Sequence, residues 1–254
     1  MEQTQFLKTA LIAAKKAEEV IMKYYSGKIR AEFKGDETPV TAADREAEEL
    51  ITKAIKSKFP KHSILGEESG KSGSSEYTWI IDPIDGTKNY IRKIPMFATQ
   101  IALAKNNELI LGVSNAPAMN ELLYAERGRG AYCNDKKIHV SKVKNLRESF
   151  MSFGGINYFE KINSIKNLLK LARIVRSKRG FGDFWGYHLL AQGKIEIMVE
   201  ADIKIWDIAA LAVIVEEAGG KVTDITGKPV AKDARTVLAT NGLLYDEVLE
   251  IFRE

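Results

Sequence analysis

Hydrophobic residues recur at helical spacing in two stretches near the start of the chain. Between Thr4 and Tyr25 the apolar positions fall three or four residues apart, which predicts one long amphipathic helix. Thr41, followed three residues later by Asp44, has the spacing of a helix-capping pair, and the helical pattern continues to about Phe59. The chain is therefore expected to begin with two helices.

The next part of the chain is predicted to be mostly β-structure. Short runs rich in β-branched and aromatic residues are separated by turn residues such as Asn106-Asn107. The predicted strands lie near 77–82, 97–105, 109–116, 121–126 and 136–141. This much strand between helices indicates an antiparallel sheet with helices packed on it.

After Lys142 the pattern changes to alternating strands and helices. Strands are predicted near 149–153, 173–176, 195–200, 221–223 and 236–239. Helices are predicted near 158–171, 183–192, 207–218 and 243–252. Neither a flexible linker nor a repeat marks the change. We therefore expect two halves, residues 1–142 and 143–254, packed tightly as one unit.

Composition excludes several classes of protein. The single cysteine, Cys133, cannot form an internal disulfide and fits a reducing compartment. No stretch approaches the roughly 20 apolar residues of a membrane span, and the N-terminal helix lacks a cleavable-signal pattern, so a cytoplasmic protein is expected. The net charge of +4 is spread along the chain, which gives no reason to expect nucleic-acid binding.

The most informative segment for chemistry is residues 79–87, Trp-Ile-Ile-Asp-Pro-Ile-Asp-Gly-Thr. An apolar run typical of a buried strand leads into Asp82 and Asp85, and Pro83 predicts that the strand stops between them. Gly86 and Thr87 then offer backbone N–H groups and a hydroxyl where a helix can begin. Hard oxygen ligands beside such a helix start suit a Mg²⁺-assisted reaction of a phosphate. Asp85-Gly86 alone is also an ordinary turn.

Two distant segments make the same chemistry more specific. Residues 64–69, Ile-Leu-Gly-Glu-Glu-Ser, form another apolar run that ends in carboxylates, which alone would fit a solvated loop. Residues 206–210, Trp-Asp-Ile-Ala-Ala, begin an amphipathic segment in which Asp207 alone would fit a helix cap. In this order and with these flanks, the three segments resemble the signatures of the inositol monophosphatase family of metal-dependent phosphomonoesterases. The resemblance covers nearly the whole chain.

The resemblance implies a fold, a cofactor and a set of site residues. The implied fold is mixed α and β, a layered αβαβα sandwich of the inositol monophosphatase and fructose-1,6-bisphosphatase type. The implied cofactor is Mg²⁺, two to three ions per site, with Mn²⁺ as an alternative. The first half would carry most of the metal ligands, and the second half would carry Asp207 and the substrate pocket. A homodimer is also implied, with no nucleic-acid or membrane partner.

The family pattern also assigns metal ligands and catalytic roles. One Mg²⁺ would be bound by Glu67, Asp82 and the Ile84 carbonyl, and a second by Asp82, Asp85 and Asp207, with a third, weaker ion near Glu67. The attacking water would be hydrogen-bonded to Glu67 and Thr87, and the N–H groups of Gly86 and Thr87 would bind the phosphate. Asp85 would be a substrate-binding residue as well as a metal ligand. Asp44 matches the acid that supports Thr87 and the third ion, although the capping role of Asp44 is an alternative.

The substrate is expected to be a small phosphate ester, and resemblance to one branch suggests which. Residues 179–187, Arg-Gly-Phe-Gly-Asp-Phe-Trp-Gly-Tyr, look like the branch that hydrolyses histidinol phosphate. Histidinol carries an ammonium and an imidazole, which Asp183 and Glu200 would bind. Glu200 also matches the position that contacts inositol in the family. Inositol monophosphate, with or without fructose 1,6-bisphosphate, and 3′-phosphoadenosine 5′-phosphate are the alternatives, and a non-catalytic metal- or phosphate-binding regulator is the alternative of another class.

Overall fold

The computed structural model describes residues 3–33, 35, 39–231 and 233–253. The helices in this part of the chain are α1 Gln5–Ser26, α2 Ala42–Lys58, α3 Thr87–Ile91, α4 Ile156–Lys161, α5 Ile165–Ile174, α6 Asp183–Ala191, α7 Ile205–Glu217 and α8 Tyr245–Arg253. None of the described helices is both long and apolar enough to cross a membrane.

The strands form a two-stranded ribbon and two larger sheets. The ribbon pairs β1 Ala31–Phe33 with β2 Pro39–Thr41. The strands of the larger sheets are β3 Ser63–Gly66, β4 Gly70–Ser72, β5 Tyr77–Asp85, β6 Ala98–Lys105, β7 Glu108–Ala116, β8 Glu121–Glu126, β9 Ala131–Cys133, β10 Lys136–Ile138, β11 Phe150–Phe153, β12 Ser177–Arg179, β13 Ile197–Ala201, β14 Lys221–Thr223 and β15 Thr236–Thr240. The eight-stranded sheet has the order β10-β9-β8-β7-β6-β5-β3-β4, and the five-stranded sheet has the order β12-β11-β13-β15-β14.

Three hydrophobic cores alternate with the two sheets, and this confirms the predicted αβαβα sandwich. The first core joins α1 and α2 to one face of the eight-stranded sheet. The second core holds α6 and α7 between the two sheets. The third core packs α4, α5 and α8 on the outer face of the five-stranded sheet. The predicted antiparallel order holds from β5 to β10, whereas β3 pairs with β5 in parallel and the five-stranded sheet is mixed.

The middle layer is where the two halves of the chain meet. Helix α7 belongs to the second half, yet it packs on β5 to β8 of the first half. Its backbone lies so close to β7 that a Cβ atom at Gly112 would stand 2.2 Å from the Ala210 carbonyl oxygen. Because glycine has no Cβ, it allows this approach, and Gly112 fixes the height of α7 above the sheet.

Three expectations from the sequence are wrong in detail. The helix predicted over 158–171 is two helices, α4 and α5, because Asn163 adopts a left-handed conformation (φ 56°) between them. The strand predicted near 173–176 lies instead at Ser177–Arg179, since Ile174 still belongs to α5. Strand β5 does not stop at Pro83 but continues to Asp85, and its pairing with β6 shifts register between Asp82 and Asp85.

Candidate active site

A cavity of about 320 Å³ opens where the N-terminal ends of α6 and α7 meet the ends of β5 and β13. Nine of the ten site residues predicted from the sequence line it: Glu67, Asp82, Ile84, Asp85, Gly86, Thr87, Asp183, Glu200 and Asp207. The remaining lining residues are Pro39, Lys88, Asn89, Tyr158, Ala201, Asp202 and Ile203. The sandwich therefore brings together segments that lie more than a hundred residues apart in sequence.

Strand alternation decides which side chains of β5 and β13 face the cavity. Ile80 packs in the core between the sheets while its neighbours Trp79 and Ile81 pack in the outer core, so Asp82, two positions on, faces the middle layer. By the same alternation Met198 faces the middle layer, and Glu200 follows it on that face. The two carboxylates therefore approach the cavity from opposite sheets.

The irregular end of β5 turns Asp85 toward the same cavity. Pro83 has no N–H for the ladder with β6, and its carbonyl accepts a hydrogen bond from Thr99 Oγ1 at 2.9 Å. The register shift that follows is a bulge, which redirects the side chains beyond it. Gln100 Nε2 donates to Asp85 Oδ2 at 3.2 Å and thereby fixes one carboxylate oxygen.

Gly86 and Thr87 form the turn into the short helix α3. Gly86 has φ 85° and ψ 33°, a left-handed conformation that favours glycine, and a Cβ atom there would stand 2.7 Å from the Met96 carbonyl oxygen. Thr87 Oγ1 donates to the Ile84 carbonyl oxygen at 2.9 Å. Because a hydroxyl has one proton, this bond leaves the Thr87 oxygen with lone pairs to accept from a water molecule.

Asp207 serves both as a helix cap and as a cavity residue. It is the third residue of α7, and its Oδ2 accepts a hydrogen bond from the Lys204 N–H at 2.7 Å. The sequence left these two roles as alternatives. The structure gives Asp207 the capping contact and the position on the cavity wall at once, because the first turn of α7 points into the cavity.

The carboxylates around the cavity raise one another's pKa. Burial, followed by the charges of Glu67, Asp85 and Asp207, raises the pKa of Asp82 well above its ordinary value. Burial raises the pKa of Asp207 to about 7, against the hydrogen bond from Lys204 and together with the charge of Glu67. Such a cluster carries an electrostatic cost that a bound cation removes.

The donor atoms fit a hard divalent cation. Asp82 Oδ1 is buried and has no hydrogen-bond partner among the described residues, so a buried acceptor is left for a ligand. All the predicted ligand atoms are oxygens, which Mg²⁺ and Mn²⁺ prefer. In the described residues no three His, Cys, Asp or Glu side chains already stand in metal-ligand geometry. Asp207 accepts a hydrogen bond from the Lys204 N–H and Asp85 accepts one from Gln100, each through Oδ2.

Asp44 is the predicted site residue that the cavity lining does not include. Its Oδ2 accepts hydrogen bonds from the Thr41 N–H at 2.8 Å and from Thr41 Oγ1 at 2.6 Å, so the capping interaction is confirmed. Burial raises the pKa of Asp44 to about 7, with Glu67 and Glu68 adding to the shift. Its Oδ1 has no hydrogen-bond partner among the described residues. The proposed support of Thr87 by Asp44 stays a prediction.

The opposite wall of the cavity carries a second pair of acids. Asp183 is the first residue of α6, where its N–H donates to Glu200 Oε1 at 3.1 Å and its Oδ2 accepts from Asn89 Nδ2 at 3.0 Å. Tyr187 Oη donates to Glu200 Oε2 at 3.0 Å. Burial raises the pKa of Glu200 to about 8, and the charge of Asp183 adds to this shift. This wall therefore carries two carboxyl groups whose neutral forms burial favours.

Several residues of the site were given no individual role from the sequence. Lys88 and Asn89 follow Thr87 directly in the first turn of α3, and that adjacency was a signal for both. Tyr187 lies one helical turn after Asp183, so the helical repeat also predicts it. Nothing in the sequence pattern pointed to Tyr158 or Asp202, which reach the cavity from α4 and from the turn after β13.

Comparison with known proteins finds relatives in both sequence and fold. The sequence profile of the inositol monophosphatase family matches residues 2–254. A histidinol-phosphatase from Streptomyces coelicolor is 37% identical over 87% of this chain and 86% of its own length. A fructose-1,6-bisphosphatase/inositol-1-monophosphatase from Thermotoga maritima is 39% identical over 85% and 82%. The solved structure of the extragenic suppressor protein SuhB from Bartonella henselae superposes with a TM-score of 0.92, covering 99% of both chains at 30% identity.

Proposed function

The chain belongs to the inositol monophosphatase family and is a phosphoric monoester hydrolase, and from this premise we propose that it hydrolyses histidinol phosphate with the help of Mg²⁺. One observation carries the proposal. The cavity has a wall of buried carboxylates beside a helix start, and opposite it a second acidic wall formed by Asp183 and Glu200. The first wall suits a metal-bound phosphate, and the second suits a cationic alcohol.

The residues that would hold the metal are those that share the first wall. Glu67, Asp82 and the Ile84 carbonyl would bind one Mg²⁺, and Asp82, Asp85 and Asp207 would bind a second. A third ion would lie near Glu67, and Mn²⁺ would substitute for Mg²⁺. When bound, these ions supply charge neutralisation for the phosphate dianion and lower the pKa of a water molecule.

The protein's own groups would position the reactants. The Thr87 hydroxyl donates its hydrogen bond to the Ile84 carbonyl, so the Thr87 oxygen would accept a hydrogen bond from the attacking water. The Glu67 carboxylate would accept the other hydrogen bond of that water molecule. The N–H groups of Gly86 and Thr87 would donate to the phosphate oxygens at the start of α3.

Substrate choice rests on the charge of the second wall. Both Glu200 oxygens already accept hydrogen bonds, from the Asp183 N–H and from Tyr187, which fixes the carboxylate in place. Burial raises the pKa of Asp183 against the charge of Lys88, and burial followed by the charge of Asp183 raises the pKa of Glu200, so a bound ammonium or imidazolium would lower both. A neutral polyol offers no such compensation. Histidinol-phosphatases from three bacteria at 37 or 38% identity support the same choice.

Inositol 1-phosphate, with or without fructose 1,6-bisphosphate, is the second candidate. The Thermotoga maritima relative, which is 39% identical, favours it. The carboxylate oxygens of Glu200 are also acceptors that suit the hydroxyl groups of a polyol. 3′-Phosphoadenosine 5′-phosphate has no such specific support. The non-catalytic regulator is set aside, since the relatives that match are phosphatases.

A substrate panel tests the proposal. The values of kcat/KM for histidinol phosphate, inositol 1-phosphate, fructose 1,6-bisphosphate and 3′-phosphoadenosine 5′-phosphate would be compared with Mg²⁺ and after chelation. We expect phosphate release that requires Mg²⁺ and is fastest with histidinol phosphate. A preference for inositol 1-phosphate would refute the substrate and leave the metal chemistry standing. The homodimer and the cytoplasmic location stay predictions, and light scattering checks the first.

A further inference from the structure

The connection between β3 and β4 is a three-residue hairpin loop, Glu67-Glu68-Ser69, and the structure accounts for each of its backbone N–H groups. The Glu67 N–H donates to the Ile81 carbonyl of β5 at 3.0 Å. The Glu68 and Ser69 N–H groups donate to a single side chain of helix α2, Glu48, each at 2.9 Å. The loop that carries Glu67 into the cavity is therefore held from both sides.

Glu48 is built for this contact. Its side chain is 3% exposed, and each of its two carboxylate oxygens accepts one N–H of the loop. A buried carboxylate is costly unless it is hydrogen-bonded, and these two bonds to a charged acceptor are stronger than neutral ones. The pair of acceptors cannot be replaced by an amide, because Gln has one acceptor oxygen and an NH₂ group that would face an N–H donor.

Gly66 makes room for the same side chain. A Cβ atom at Gly66 would stand 2.3 Å from Glu48 Oε1 and 2.7 Å from Oε2, well inside normal contact. Because Gly66 has no side chain, the Glu48 carboxylate can pack against the backbone of the hairpin and accept hydrogen bonds from both N–H groups. Loop, glycine and acid form one unit, although Glu48 lies 18 residues before Gly66 in the sequence.

We propose that Glu48 is a positioning residue, which orients Glu67 toward the metal by clamping the N–H groups of Glu68 and Ser69. The inference rests on the proposed function, in which Glu67 is a metal ligand. Glu48 itself does not line the cavity as described, so it acts through the loop. Residues that hold metal ligands in place are typically worth 10- to 100-fold in metal affinity or activity.

The test uses Glu48→Gln and Glu48→Asp, with Glu49→Gln as the matched control on the exposed side of the same helix. Mn²⁺ binding would be measured from the paramagnetic resonance of the free ion, hydrogen exchange of the 64–72 segment by mass spectrometry, and folding by circular dichroism and thermal melting. We expect Glu48→Gln to weaken Mn²⁺ binding and kcat/KM about 10-fold or more, with faster amide exchange in the loop. Glu48→Asp, which keeps two acceptors, should recover part of the loss, and Glu49→Gln should match the parent.

These measurements can refute the positioning role of Glu48 in two ways. A folded Glu48→Gln variant with parental Mn²⁺ binding overturns the proposal even if loop exchange increases, because the clamp would then have no effect on the metal. If Glu48→Gln fails to fold, parental loop exchange in a folded Glu48→Asp variant together with weakened Mn²⁺ binding also overturns it. Glu67→Gln separates the two ideas: if it binds Mn²⁺ like the parent, the assignment of Glu67 as a metal ligand in the proposed function fails, whereas parental binding by the Glu48 variants alone refutes only the positioning role.

Discussion

Replacing Asp207 by Asn is expected to stabilise the metal-free protein while destroying its activity. Asp207 is one of several carboxylates that share the buried wall of the cavity, and burial raises its pKa from 3.8 to about 7. Because the folded state holds the proton more tightly than the unfolded state, the charged carboxylate opposes folding at neutral pH. Asn removes that charge, and its side-chain oxygen can still accept the hydrogen bond from the Lys204 N–H.

The size of the effect follows from the pKa. A difference of about three pKa units corresponds to about 4 kcal/mol at 1.36 kcal/mol per unit. That pKa already includes the hydrogen bond from Lys204, and Asn accepts this bond as a neutral group in the way the protonated acid does, so the expected gain in the free energy of unfolding above pH 7 is about 4 kcal/mol. The gain should be absent below pH 3.8, grow as pH rises between 3.8 and 7, and then level off, since the folded-state pKa is the raised one.

Urea unfolding in EDTA, followed by circular dichroism from pH 4 to pH 8, measures this profile. The control is Asp202→Asn, in the same cavity but exposed and 3.6 Å from Lys161, which should change stability by less than about 0.5 kcal/mol. Adding Mg²⁺ should stabilise the parent, because the ion binds only the folded state. The difference in the free energy of unfolding between the variant and the parent should therefore become smaller. A variant no more stable than the parent at pH 8, or a gap independent of pH, would refute the reasoning.

Three further changes test individual roles. Asp82→Asn should abolish Mg²⁺-dependent turnover without changing the circular dichroism spectrum, since it removes the carboxylate expected to bridge two ions, and near-normal activity would contradict the assignment. Thr87→Ala should lower kcat by roughly 100-fold with little change in Mn²⁺ binding, and the reverse pattern would mean that Thr87 is a ligand. Asp183→Asn should cost histidinol phosphate about 1–3 kcal/mol in kcat/KM while sparing inositol 1-phosphate, whereas an equal loss for both would indicate damage to the start of α6.

The fold could be predicted because its signals are local and periodic. The capping pair of Thr41 and Asp44 marked the start of α2, and the apolar run along β5 marked a buried strand. The errors came where a single backbone conformation decides the outcome. The sequence around Asn163 gave no sign that the helix would end there. The left-handed backbone conformation of Asn163 is what separates α4 from α5.

The site was predictable where the chain places carboxylates at the ends of elements, and was missed where tertiary contact decides. Asp82 and Asp85 lie in the last part of strand β5 before Gly86 and Asp207 lies in the first turn of α7, and those positions meet at one cavity. Glu48 escaped notice because a glutamate in a helix is usually solvated. A signal was present, since Asp44 and Glu48 fall on the same helical face as Ile51 and Ile55. Acids on an apolar face must find partners, but the sequence does not say which.

The close contact between Gly112 and Ala210 has a consequence for synthesis of the chain. When residues 1–142 have left the ribosome, the face of the eight-stranded sheet that α7 will cover is still open to water, because that helix is nearly a hundred residues away from β7. The nascent first half must wait for residues 205–217 before it can bury that face. Expressed alone, residues 1–142 are expected to aggregate, and co-expression of residues 143–254 is expected to return them to solution.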